Sequence, residues 1–322
     1  MSSRPRSRCG FVLLVVLAAI IVVGLALTST ARRGLNATIS AIEAQKSLQR
    51  RWGMTSCQRA ILPAAQSLFD VSDRTTRRQR GKKTAFPAVL EDRVMLGDQT
   101  FDLLVADEDA KANLNAIYDA SDIQTCERAL SRLTGPLESR SVQLTPERAS
   151  TNQQSAKKSR DSASKLEDPN SEIDSSPDSI APAFRSWGEV FDLVQLHRLA
   201  GDDRQLAKMT RQLSLFGTGR LNVFRAKDET ILAVCSAVVR EGLAQRVLSK
   251  VRETSLGEVR LVLDQTVTNE IDRRDLQKLL GDSSNSFSIW IEVSSKSVRQ
   301  QRLAIQAPNE IGITQTTEFS FE

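Results

Sequence analysis

Between Phe11 and Thr30 the chain runs for twenty residues without one charged side chain. Built as a helix rising 1.5 Å per residue, the stretch is about 30 Å long, the thickness of a bilayer's hydrocarbon core. Arg4, Arg6 and Arg8 precede it, and Arg32 and Arg33 follow it. The charges on the two flanks partly offset each other, so they orient the helix only weakly. A secretory signal has a shorter apolar core, roughly 7–15 residues, followed by a small-x-small cleavage site. "STA" at Ser29 to Ala31 offers such a site. On these residues alone a cleaved signal, a plain anchor and a specialised retained helix all stay open.

The rest of the chain offers little catalytic equipment. It has one histidine, His197, placed in "DLVQLHRLAGDD", which reads as an ordinary helix end. Nucleophile–histidine catalysis would have only that base. The four cysteines, Cys9, Cys57, Cys126 and Cys235, lack the close paired spacing of a zinc site. P-loop, GxGxxG and HExxH patterns are absent. No enzyme activity is expected. Aromatic residues make up only 5% of the chain, thin for an aromatic-lined ligand pocket. The net charge of +5 says little about partners, and the basic run Arg77, Arg78, Arg80, Lys82 and Lys83 reads as a solvated loop within "RTTRRQRGKKTA".

After Arg33 the pattern stays helical, with Leu35, Ile39 and Ile42 on one face. Gly53 is a candidate kink and Pro63 a second interruption. "DRVMLGDQTFDLLVADED" then reads as a hairpin turning at Gly97 and Asp98. "CERALSRLTGPL" is a short helix stopped by Gly135 and Pro136, and residues 140–181 are too polar to order themselves. A helix is expected over Phe184, Trp187, Phe191, Val194 and Leu196. Gly217 and Gly219 form a turn, Leu221 to Val223 are extended, and two helices follow, joined near Gly242. "DRRDLQKLLGD" is a further helix with Gly281 near its cap, and three strands close the chain. The expected fold is α+β: a long N-terminal helix, apolar in its first half, packed on an antiparallel sheet made by the hairpin and the closing strands, with a helical domain inserted.

Asp107, Glu108 and Asp109 form a tight acidic cluster ahead of "NLN". The plain reading is structural, with Asn115 capping the next helix. Calcium held by Asp107 and Asp109 is the alternative, although the EF-hand spacing is absent. No other metal or cofactor is expected.

Two resemblances sharpen these readings. A short basic leader ending in Gly10, followed at once by Phe11 and an apolar helix, resembles a type IV prepilin signal. That implies peptidase cleavage between Gly10 and Phe11 with the helix retained. Most such proteins carry glutamate at the fifth mature position, where this chain has Val15; one subfamily lacks it. Asp107 to Asn115, with Lys111 in place, the phrase Phe184 to Glu189, and the Leu221–Val251 segment containing Asn222 occur in the order of that subfamily. The chain therefore resembles the type II secretion protein K family, the K-type minor pseudopilins, over most of its length. The motif residues are Asp107, Glu108, Asp109, Lys111, Asn113, Leu114, Asn115 and Asn222.

The resemblance implies a prepilin leader at 1–10 and a transmembrane helix at 11–30. An amphipathic helix and the first strands of a pilin-like domain follow at 31–106. The helical domain would start at 107–139, be interrupted by a disordered polar insertion at 140–181, and resume at 182–283. Closing strands would fill 284–322. It further implies a non-enzymatic tip subunit of a periplasmic filament. Its partners would be the I- and J-type minor pseudopilins, the inner-membrane secretion platform, the prepilin peptidase and membrane lipid. The chain would cross the inner membrane once, N-terminus in the cytosol and C-terminal domain in the periplasm. In that oxidising compartment Cys57 and Cys126 are the candidate disulfide, with Cys9 lost in the leader and Cys235 packed in the core. The competing reading is a membrane-anchored helix-hairpin-helix DNA-binding protein. It would use the "VVREGLAQ" connection, where Glu241 opposes phosphate; no nucleic acid is therefore expected as partner.

Overall fold

The computed structural model describes residues 9–80, 86–134, 138–148, 182–200, 211–254, 258–294, 299–308 and 314–321. They divide into two compact units, Met1–Ser56 and Cys57–Glu322.

The first unit is helix. Helix α1 (Cys9–Ile61) contains the expected Gly10–Phe11 junction and continues through Gly53 unbroken. An 18-residue window within it has mean hydropathy 2.6, so it is long and apolar enough to cross a membrane once. The Thr28 and Thr30 hydroxyls donate to the carbonyls of Gly24 and Ala26 at 2.7 and 2.8 Å, which satisfies them without water. Val15 is half-exposed, as are Leu35, Ile39 and Ile42 further along.

In the second unit the end of α1 passes through a 3-10 turn, Leu62–Ala64, at Pro63. Helix α2 then spans Ala65–Arg80. The basic segment read as a loop is thus helical as far as Arg80. Arg and Gln sustain a helix, the Thr75 hydroxyl donates back to Val71 O at 3.0 Å, and the next glycine comes only at Gly81. Lys82 and Lys83 lie outside the described residues.

Five antiparallel strands follow in the spatial order β1-β2-β7-β8-β9. They are β1 (Val89–Leu96), β2 (Gln99–Asp107), β7 (Phe287–Ser294), β8 (Arg299–Pro308) and β9 (Thr314–Phe321). Leu96 pairs with Gln99, so Gly97 and Asp98 make a two-residue turn, with Gly97 at φ +65°. The hairpin joins the closing strands where β2 pairs with β7. Alternate residues Phe101, Leu103 and Val105 on β2 and Phe287, Ile289, Ile291 and Val293 on β7 are buried. Leu62, Ala65 and Phe69 are buried too, and the Phe69 ring stacks on Phe287 at 5.6 Å. Each such phenylalanine contributes about 2–3 kcal/mol by leaving water.

The helical block lies in the chain between β2 and β7, as the α+β expectation requires. It contains α3 (Leu114–Ala120), α4 (Ile123–Leu133), α5 (Leu193–Ala200), α6 (Asp228–Ser236), α7 (Glu241–Glu253), α8 (Val259–Thr266) and α9 (Glu270–Leu279). Two short parallel ladders stitch it together. In one, β3 (Ala112–Asn113) pairs with β4 (Leu213–Ser214); in the other, β5 (Leu221–Asn222) pairs with β6 (Leu280–Gly281). Its core gathers Leu114, Ile117, Leu130, Phe184, Phe191, Ile231, Val247, Leu263 and Leu276, all nearly inaccessible. Helix α8 was not read from the sequence, and Gly281, next to the C-cap Leu280 of α9 as expected, also belongs to the β6 ladder.

Two expectations in this block fail. Residues 140–148, counted with the polar insertion, are pinned in place. The amides of Gln143, Thr145 and Glu147 donate to the carbonyls of Val190, Glu189 and Ala183 at 2.8–2.9 Å. Arg148 grips Asp119 with two bonds of 2.7 Å. Residues 149–181, the rest of that segment, lie outside the described residues. Nor is there one helix from Phe184 to Leu196. Phe184 and Phe191 are buried in non-helical backbone around a 3-10 turn at Trp187–Glu189, and Asp192 caps α5 by accepting from Val194 N and Gln195 N at 3.0 Å. The periodicity came from two core phenylalanines on either side of a turn.

Candidate functional site: an acidic junction between sheet and helical block

Strand β2 ends by delivering Asp107, Glu108 and Asp109 into the interior, where all three are buried. Burying ionised carboxylates is costly unless donors surround them. Every oxygen here meets protein donors. Asp107 Oδ1 accepts from Asp109 N at 3.0 Å. Its Oδ2 accepts from Arg225 Nη1 at 3.1 Å and Ser284 Oγ at 2.5 Å. Glu108 Oε1 takes Lys111 Nζ at 2.5 Å and the Ser288 hydroxyl, and Oε2 takes Ser214 Oγ at 2.5 Å. Asp109 Oδ1 accepts from Thr218 N and Oγ1 at 3.1 and 3.0 Å, and Oδ2 from Asn285 N and Ser286 N at 2.8 and 3.0 Å.

These donors come from separate parts of the chain. Ser214, Thr218 and Arg225 belong to the middle of the helical block, Ser284 and Ser286 lead into β7, and Ser288 lies within it. Arg225 extends the network to α2. Its Nη2 lies 2.7 Å from Asp73 Oδ2, and its guanidinium sits 4.8 Å from the Phe69 ring centroid. The junction thus ties α2, the end of β2, the helical block and the start of β7 to one another.

Burial sets the electrostatics. Desolvation pushes Asp107 up from 3.8 to about 6, opposed by the Ser284 hydrogen bond and the Arg225 charge. Asp109 is raised for the same reason, opposed by its backbone donors. Desolvation would lower Arg225, but Asp73 and Asp107 outweigh it and the guanidinium is held above its ordinary value.

The remaining motif residues complete the frame. Asn113, not Asn115, caps α3: its Oδ1 accepts from Ala116 N at 3.0 Å while its Nδ2 donates to Phe216 O at 2.8 Å. The β3–β4 ladder keeps Asn113 extended, so the helix cannot start until Leu114, which is fully buried. Asn115 lies inside α3 and acts as a clamp. It donates to Phe184 O and Leu215 O at 3.0 Å and accepts from Phe184 N at 2.8 Å. Asn222 Nδ2 donates to Ser284 Oγ at 2.7 Å, which leaves the serine proton for Asp107. Gly10, Phe11 and Val15 lie in the other unit, within α1.

Among the described residues, no group of three or more His, Cys, Asp or Glu side chains is arranged to hold a metal ion. Asp107 and Asp109 spend their oxygens on protein donors. Cys57, Cys126 and Cys235 are free buried thiols, which corrects the expected Cys57–Cys126 bridge. Cys126 is enclosed in the helical-block core, with Sγ 4.0 Å from Leu114 O, while Cys57 is no member of that core. Burial pushes Cys126 and Cys235 up to about 12, far from reactive. In the helix-hairpin-helix segment, Glu241 opens α7 and pairs with Arg132 at 3.0 Å. The side chain of His197 lies outside the described residues.

Sequence reading singled out the acidic residues but not their partners Arg225, Ser214, Thr218 and the serines of "SSNSFS". That serine-rich run just before a strand was the available signal.

No protein-family profile matches the chain, and no curated protein sequence matches it. Among solved structures, a chain in the crystal structure of the GspK-GspI-GspJ complex from the enterotoxigenic Escherichia coli type 2 secretion system is similar, with 14% identity and a TM-score of 0.39, over 85% of this chain and 99% of that one. Fold and junction define the class here: an α+β protein with an apolar N-terminal helix and a helical block locked into an antiparallel sheet.

Proposed function

We propose that this chain is a minor pseudopilin of the K type, set at the tip of a periplasmic type II secretion pseudopilus. One observation carries the reading. The residues that resemble the family's text, Asp107–Asn115 and Asn222, gather at one junction that holds the inserted helical block against the sheet. A motif with that role suits a subunit whose inserted block must stay rigid.

The apolar helix supplies the second support. Cut after Gly10, the chain would begin at Phe11 and keep the whole span for packing in a filament or a membrane. A carboxylate placed in lipid needs a partner. With Val15 at the fifth mature position, a subunit at the top needs none. The helical block would block addition above, so further subunits would enter below. The I- and J-type pseudopilins, the secretion platform and the prepilin peptidase are the partners this role requires. The orientation would be N-terminus cytosolic and C-terminal domain periplasmic. The role involves no chemical step.

The decisive experiment is N-terminal sequencing of the protein co-expressed with a prepilin peptidase. A mature start at Phe11 is expected. A start near Arg32 would remove the membrane helix and end the proposal. Co-purification with I- and J-type subunits tests the partner half separately.

A further inference from the structure

Strand β1 is an edge of the sheet among the described residues, and its pairing with β2 shows which backbone groups β2 leaves unused. Asp107 N donates to Ala88 O at 2.9 Å, and Leu96 and Gln99 close the hairpin. Residues 88, 90, 92, 94 and 96 therefore turn their N–H and C=O toward β2, and Val89, Glu91, Arg93 and Met95 turn theirs outward. The edge is protected at one place: Arg93 N donates to the side chain of Asp92 at 2.7 Å. Val89 and Glu91 have no such cap among the described residues.

A cavity of about 140 Å³ lies beside that uncapped half. Val89 and Glu91 line it on one side, and Arg211, Gln212, Lys227 and Thr230 of the helical block on the other. Its volume is that of about four or five waters, at roughly 30 Å³ each, or of one carboxylate side chain. Two features show what would fill it. Among the described residues Arg211 pairs only with Glu91, at 4.0 Å and largely exposed, and Lys227 makes no ion pair, so the described lining carries two positive charges against one negative. Gln212 Oε1 is buried without a hydrogen-bond partner among the described residues, an acceptor facing no donor. Its own carbonyl is held by Ala112 N at 2.8 Å, which fixes the residue in place.

We infer that the Val89–Glu91 edge and this cavity form a docking groove for an extended acidic segment of a partner protein. The segment would add as a short strand to β1, bonding the free N–H and C=O of Val89 and Glu91. An Asp or Glu side chain would enter between Arg211 and Lys227, and one peptide N–H would satisfy Gln212 Oε1. The Asp92 cap limits the added strand to this half of β1. Nothing in this inference depends on the filament role.

The test selects random octapeptides displayed on phage against the full-length protein in detergent micelles, then measures synthetic versions of those selected by fluorescence anisotropy. The expected result is β-prone octamers with one Asp or Glu at a fixed internal position. Binding should weaken about tenfold when that residue becomes Asn or Gln, when a neighbouring peptide N–H is methylated, and in the Arg211→Glu/Lys227→Glu double variant. Both side chains are exposed, and an unchanged circular dichroism spectrum and thermal midpoint would show that the fold survives. If the double variant unfolds, Lys227→Gln takes its place. The inference is overturned by no enrichment over an unrelated bait, by peptides lacking a carboxylate, by undiminished binding to the variant, or by displacement with millimolar phosphate or acetate alone, which would mark a small-anion site.

Discussion

Gly217 and Asp109 meet so closely that a Cβ on the glycine would lie 2.9 Å from Asp109 Oδ1, and Gly217 holds φ +101°. Both the conformation and the approach demand glycine there. The contact lets the loop lay the Thr218 amide and hydroxyl onto a carboxylate 109 residues away.

Gly217→Ala should accordingly destabilise the Cys57–Glu322 unit by about 2–4 kcal/mol, from backbone strain and a displaced carboxylate. Gly242→Ala is the contrast, since a Cβ there meets nothing within 4 Å and the site is helical. It should be neutral or stabilising by up to about 1 kcal/mol. Urea unfolding of the purified protein measures both. Equal effects would contradict the geometry.

Arg225 bridges Asp107 and Asp73 from the middle of the chain. Arg225→Met should cost about 3–5 kcal/mol, because it leaves two buried or half-buried carboxylates uncompensated. Arg225→Lys should recover only part of this, since a single ammonium cannot span both carboxylates as the guanidinium fork does. The same unfolding measurement reads it, and full recovery by lysine would show that charge alone matters.

Acidification should strengthen the fold over a defined window. Asp107 is raised from 3.8 to about 6, so the folded state favours its protonated form. The stability this contributes is complete below pH 3.8 and is lost as pH rises through about 6. Asp109 shifts in the same direction. Asp122 is lowered by its bond from Thr125 N, so its contribution is present above pH 3.8 and lost only below that. Between pH 7.5 and 5, stability should therefore rise, by on the order of 1.5 kcal/mol from Asp107, about one pH unit's worth of protonation below 6. Most of the rise should vanish in Asp107→Asn. A flat profile in the wild type would refute it.

The thiols offer a count. With no bridge, the unfolded protein should react with a thiol reagent at four sites if the chain is intact, or at three if it is cut after Gly10 and Cys9 is gone. In the folded protein Cys126 and Cys235 should stay unlabelled, since both are fully buried. Two fewer reactive thiols, restored by reductant, would reinstate a disulfide.

Local pattern was readable where it came from nearest neighbours. The Gly97–Asp98 turn, the closing strands and the α6–α7 pair were all visible as short alternating or periodic runs. Errors arose where distant contacts overruled local preference. Asn113 and Asn115 are equally good caps by type, and the β3–β4 ladder chose between them. Residues 140–148 look too polar to order, yet backbone bonds to Ala183–Val190 hold them. The acidic run stood out in the sequence, but its partner Arg225 lies 118 residues from Asp107 and nothing local marks it.

By itself the sequence determined that this chain has one long apolar helix, because twenty uncharged, mostly apolar residues in a row are too long for a strand and are long enough to cross a membrane only as a helix. It also determined the α+β composition, through residue periodicity. Only the tertiary structure decided which charged residues go inside. The cost of burying Asp107, Glu108 and Asp109 depends on donors brought from Ser214, Thr218, Arg225 and Ser284–Ser288. Desolvation and its compensation depend on three-dimensional neighbours, and no local pattern encodes them.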